Sequence, residues 1–176
     1  MCVLDAATKK AEVSRFLQRY PQTDQAGDEH PALQGCSDIP WSEIPGCPAG
    51  IPALFRGLLD PAAAPEAARV LSNTLMSSPF HLSAAMPVAL RFLLRLAAEP
   101  DIPARSRLLD LLLVVAELSQ PVDPEDERAV LLFGADNDHP EREQCRAVLS
   151  DHASLLYMLL GDELPPALRD GAVRPS

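Results

Sequence analysis

Ile51-Pro52-Ala53-Leu54-Phe55-Arg56-Gly57-Leu58-Leu59-Asp60, followed by Pro65-Glu66-Ala67-Ala68-Arg69-Val70-Leu71, has the same layout as Met86-Pro87-Val88-Ala89-Leu90-Arg91-Phe92-Leu93-Leu94 followed by Pro103-Ala104-Arg105-Ser106-Arg107-Leu108-Leu109. Each stretch reads as a helix opened by proline, a short break, and a second helix of Ala, Arg and Leu. Proline suits the first turn, where its missing N–H costs nothing. Ile51, Leu54, Phe55, Leu58 and Leu59 fall at i, i+3, i+4, i+7 and i+8, one apolar helical face. Paired helices recurring at about 35 residues predict a stack of repeats rather than a globular enzyme core.

Outward from these pairs the same reading continues. A helix is expected over residues 8–20, stopped by Pro21. Residues 21–50 carry many breakers and predict an irregular segment with one helical turn near Ser42. Helices are expected from Pro52 to Asp60, from Pro65 to Met76, and from near Ser83 to Pro100. The next is capped by Asp101, and its Leu108–Ala116 stretch, apolar nearly all round, predicts the central helix. A short helix opens on Glu125-Asp126-Glu127 and ends at Gly134. Asp138 and Glu141 form a D-x-x-E capping pattern before one long helix that runs through Cys145, Val148, Leu149, His152, Leu155, Leu156, Leu159 and Leu160 to a Gly161 cap. Nothing alternates with period two, so no strand is expected. The fold class is all-α: a short α-solenoid of about three stacked helix pairs, HEAT- or armadillo-like. Residues 1–50 form an N-terminal helix plus loop, 51–161 the repeat core and 162–176 a tail, within one structural domain.

Composition narrows the function. The 176 residues are 47% hydrophobic and 23% charged, ordinary for a folded protein, and the 5% aromatic content argues against base-stacking platforms. The net charge is −10 and the only lysines are Lys9 and Lys10. Nucleic acids need clustered cations, so they are not expected as ligands, and a basic partner is favoured over an anionic membrane. The longest apolar run, Leu108–Leu118, is interrupted by Asp110 and Glu117 and is too short to span a bilayer. The N-terminus lacks a basic-then-apolar leader pattern, so a cytoplasmic location is expected. Cys2, Cys36, Cys47 and Cys145 show no close spacing, and a reduced state is expected, with a Cys36–Cys47 pairing left open.

No stretch specifies a reaction. Asp136-Asn137-Asp138 is followed by His139 and Pro140 instead of the glycine a calcium loop requires, and a helix cap accounts for the same residues. His30, His81, His139 and His152 lack zinc-ligand spacing, and there is neither a G-x-S-x-G elbow nor a phosphate loop. The chain is therefore read as a non-enzyme, with no metal and no cofactor. Candidate partner-binding residues are Asp24, Asp28, Glu29, Asp38, Trp41 and Glu43 in the irregular segment, with Glu125, Asp126, Glu127, Asp136 and Asp138 as a second edge. Trp41 is either a binding hot spot or a staple that packs the loop onto the first helix pair.

Asp38-Ile39-Pro40-Trp41-Ser42-Glu43-Ile44-Pro45-Gly46, Ile51-Pro52-Ala53-Leu54, Ala68-Arg69-Val70-Leu71, Ala84-Ala85-Met86-Pro87 and Arg91-Phe92-Leu93-Leu94 together resemble a group of small bacterial HEAT-like repeat proteins over residues 37–119. In that group a Trp-containing loop precedes two helix pairs. At Ser78-Pro79-Phe80-His81 the chain departs from the His-Gln-Gly common there. The resemblance implies an immunity protein, a cytoplasmic partner that neutralises a secreted toxin of competing bacteria; with the −10 charge, the expected toxin domain is basic, bound one to one by a monomer and occluded. A HEAT-type adaptor in an intracellular complex fits the same fold-level pattern.

Overall fold

The computed structural model describes residues 5–173. Cys2 lies outside them. Helix α1 (Ala6–Arg19) opens on Asp5, whose carboxylate accepts the Thr8 N–H at 2.7 Å. It places Val13 and Phe16 in the core and ends at Tyr20, before Pro21. The single turn α2 (Gln22–Gln25) and two 3₁₀ turns, Pro31–Leu33 and Trp41–Glu43, punctuate the irregular segment. The Trp41–Glu43 turn is the one expected near Ser42.

Then follow α3 (Ile51–Gly57), α4 (Ala64–Leu75) and α5 (Met86–Ala98), each with proline in its first turn, and α6 (Arg105–Leu118). The chain closes with α7 (Glu127–Phe133), α8 (Pro140–Asp151), α9 (Ala153–Leu160) and α10 (Pro166–Val173). The consecutive helices α3 and α4, α5 and α6, and α8 and α9 are packing neighbours, and α6 also contacts α4 and α8. One hydrophobic core runs continuously from Val13 to Leu168. The protein is thus mostly helical, as the sequence predicts.

Helix α6 is packed on several sides, as expected, by α4, α5, α8 and α9, while α5 is the more deeply buried: its Leu90, Leu93, Leu94 and Leu96 are wholly buried, and it packs on α6, α8, α9 and the Pro31–Leu33 turn. Each such leucine contributes about 1.5–3 kcal/mol of burial. Helix α6 leaves Val114 43% exposed. Four local expectations are corrected. The N-cap position of α6 is Ala104, which offers no side-chain bond, while Asp101 stands exposed. Between α4 and α5 the chain forms a small antiparallel hairpin, β1 (Met76–Ser78) with β2 (His81–Leu82), too short for any period-two signal.

The D-x-x-E cap does not form either. His139 occupies the N-cap position of α8 without a capping bond, and Glu141 turns to His139 Nδ1 at 2.9 Å. Finally, the expected single C-terminal helix is two. The His152 imidazole Nδ1 donates to the Val148 carbonyl at 2.8 Å, the acceptor its own N–H would use in a continuous helix. The His152 backbone moves to φ −115°, ψ 21°, and α9 starts afresh. Gly161 (φ 54°) ends α9 as expected.

Candidate partner-binding surfaces

Residues 22–46 are irregular in backbone yet held at several points. Arg56 projects from α3 with its side chain 9% exposed. Its Nε donates to the Thr23 carbonyl at 2.6 Å, and Nη1 donates to Asp28 Oδ1 at 3.1 Å and to Ser37 Oγ at 3.4 Å. The other Asp28 oxygen accepts the Ser37 N–H at 2.7 Å. Burial pushes the Asp28 carboxyl up, but the Ser37 and Arg56 hydrogen bonds and the Arg56 charge outweigh it and hold it below the ordinary 3.8.

Trp41 supplies the second fastening. It is 2% exposed, its indole N–H donates to the Cys36 carbonyl at 2.8 Å, and its ring lies 6.2 Å from Phe55 on α3 and 6.3 Å from Phe92 on α5. Trp41 is therefore the staple and does not face solvent. Cys36 and Cys47 are both free thiols, with Cys36 pushed up to about 12 by burial.

With Asp28 committed to Arg56, the surface carboxylates of this segment are Asp24, Glu29, Asp38 and Glu43, all exposed. None has an ion-pair partner among the described residues. Of these, Glu29 lines a groove of about 510 Å³, together with Thr23, His30, Arg56, Leu59 and Asp60. Gln22 Nε2 donates to Asp60 Oδ2 at 3.0 Å across its rim. Glu29 and Asp60 bring carboxylates to its wall, and Arg56 lines it as well.

The second edge divides in the same way. Glu125, Glu127 and Asp138 are exposed. Asp126 caps α7, accepting the Arg128 and Ala129 N–H groups at 3.1 and 3.0 Å. Asp136 is structural: Oδ1 accepts from Arg142 Nη1 at 2.6 Å, and Oδ2 lies 3.5 Å from Arg146. Burial raises its carboxyl, yet the bonds from Arg142 and Val122 hold it below 3.8. Arg142, 3% exposed, also donates to the Phe133 carbonyl, tying α8 to the end of α7. The hairpin meets this corner through Phe80 on Phe133 (5.9 Å, edge-on) and His81 on His139 (4.7 Å). Ser78 Oγ sits 2.6 Å from His81 Nδ1 and accepts the Phe80 N–H at 3.2 Å, closing the hairpin turn.

Arg56 and Arg142 organise both surfaces, and neither is among the candidates read from sequence. For Arg56 a signal existed: a lone cation on an otherwise apolar helix, downstream of an acid-rich loop. Among the described residues no three His, Cys, Asp or Glu side chains are grouped to hold a metal ion, and no helix is long and apolar enough to cross a membrane. Comparison with protein-family models, with curated proteins and with solved structures returns no match for this chain.

Proposed function

We propose that this chain is an immunity protein that binds and occludes a basic toxin domain, one to one, in the cytoplasm of the producing cell. The observation that carries the reading is the set Asp24, Glu29, Asp38 and Glu43: four exposed carboxylates without cation partners among the described residues, on a loop pinned by Arg56 and Trp41. A surface already ordered loses little conformational freedom on binding. Concentrated like charge on a −10 chain accelerates capture of a cationic cleft. The mechanism is occlusion, with no bond made or broken. The pairs α3/α4, α5/α6 and α8/α9, read as a short HEAT-like stack, supply a rigid support, and the resemblance over residues 37–119 points the same way. Asp28 and Asp136 serve as internal anchors rather than contacts.

The test is purification of the tagged protein from its own organism, followed by expression of any stoichiometric companion alone and together with this chain. A companion that kills cells alone and is silenced by co-expression supports the reading. Recovery of non-toxic complex components instead points to an adaptor. For a true pair, reversing Asp24, Glu29, Asp38 and Glu43 to lysine is expected to slow association about 10- to 1,000-fold at low salt, measured by stopped flow.

A further inference from the structure

We propose that the β1–β2 hairpin is a proton-operated latch: when His81 takes up a proton, the hairpin tip undocks from the corner where α7 gives way to α8, while the helical core stays folded. The inference is independent of the proposed function. It concerns how one corner of the molecule moves.

The hairpin does not hold itself in place. Met76 lies opposite Leu82 and Ser78 opposite His81, with an irregular register between the two pairs. An isolated two-stranded hairpin is marginal in water at best. Its base is anchored: Leu82 is buried, and the Ser83 N–H donates to the Leu75 carbonyl at 2.9 Å. Its tip rests on two ring contacts, Phe80 on Phe133 at 5.9 Å and His81 on His139 at 4.7 Å. Phe80 stays 40% exposed, and α7, which carries Phe133, buries none of its residues. Little buried apolar surface therefore resists a local opening here.

A proton on His81 acts against both the turn and the docking. Ser78 Oγ accepts the Phe80 N–H at 3.2 Å and offers its own proton to His81 Nδ1, 2.6 Å away. That nitrogen accepts a hydrogen bond only while the imidazole is neutral. The proton also sets a cation against the His139 ring, which has no room to retreat. Glu141 lies 2.9 Å from His139 Nδ1, and the ring packs so closely on Gly134 that a Cβ there would collide with Nε2. Arg142, a permanent cation, acts on His81 from the same side. Among the described residues Glu141 is the carboxylate paired with either ring, and Asp136 is already engaged by Arg142 and Arg146. Helix α6 also packs on β2 but brings no charge that acts on His81. Burial and the His139 and Arg142 charges lower the imidazole from 6.5, and Glu141 and the Phe133 backbone offset this only in part. Docking is thus favoured above about 6.5 and weakens as pH falls below it.

The test is the NMR ring-to-ring NOE between Phe80 and Phe133 in the full chain, followed from about pH 7 to about pH 5 together with the His81 ring shifts. The NOE is expected to fade as His81 titrates. The NOE between Phe55 and Phe92 inside the core, whose rings lie 5.6 Å apart, should persist. Protection of the Phe80 amide against hydrogen exchange should fall about threefold or more over the same range. His81→Gln and His81→Phe, which take up no proton, should keep the Phe80–Phe133 NOE at the acid end. An NOE that survives there in the native chain overturns the inference. So does simultaneous loss of the core NOE, release that does not follow the His81 titration, or release by acid in a substituted chain that is docked at neutral pH. If both substitutions undock the hairpin at neutral pH, the native titration decides by whether release follows His81.

Discussion

Trp41 carries three links at once: a hydrogen bond to the Cys36 carbonyl, a ring contact to α3 and another to α5. Truncating it removes a large core side chain, and Trp41→Ala is expected to cost about 3–5 kcal/mol in urea denaturation. Trp41→Phe keeps an aromatic ring but leaves the buried Cys36 carbonyl without its donor, for a loss of about 1–3 kcal/mol. A substitution that leaves stability unchanged would return Trp41 to the surface. From sequence, a tryptophan among prolines reads equally as staple or hot spot. The choice depends on Phe55 and Phe92, which lie on two different helices, and no local pattern reports such a meeting.

Gly57 shows how closely the first helices approach. A Cβ there would stand 2.7 Å from Phe16 Cζ on α1 and 2.9 Å from the Ala67 Cβ on α4. Alanine gains up to about 1 kcal/mol of helix propensity over glycine, but the Phe16 ring is 2% exposed and has no room to swing. Overpacking of about 1–3 kcal/mol should win, so Gly57→Ala is expected to lower the urea midpoint. A raised midpoint would show that α1 yields. At this scale α3, α4 and α5 were legible because proline and an unbroken stripe mark them. The break at His152 was not, because the stripe runs straight through it and the cause is a side chain competing for a backbone carbonyl. The hairpin was hidden by its brevity. The acidic surfaces were legible as composition, whereas the withdrawal of Asp28 and Asp136 from them depends on ion pairs that only folding creates.

For the whole molecule, acid should act in two windows. His81 has its imidazole pKa lowered from 6.5, first by burial and then by the His139 and Arg142 charges beside it, against Glu141 and the Phe133 backbone, which raise it. The unfolded chain then binds the proton more readily than the fold. Stability from neutral His81 is present above about 6.5 and is lost as pH falls below it. Asp28 and Asp136 are held below 3.8 and Glu66 below 4.5, so their contribution persists above those values and is lost only as pH falls through the lower folded-state ones. Partial neutralisation of the −10 charge relieves self-repulsion and works the other way, so the comparison must be with a variant. His81→Gln should flatten the decline in urea midpoint between pH 7 and 5 and leave the decline below about pH 4 intact. An identical profile in both proteins would remove His81 from the account.

The buried thiols give the molecule a pair of internal clocks. Cys36 sits beneath Trp41 near the N-terminal end of the core and Cys145 on α8 near the other, both without measurable exposure and both pushed up to about 12. Neither thiolate forms while its surroundings stay shut, so an alkylating reagent reaches each sulfur only when that part of the fold opens. Residue-resolved labelling rates would thus time the breathing of the two ends separately in one tube, and would show whether a bound partner stills one end, the other, or both.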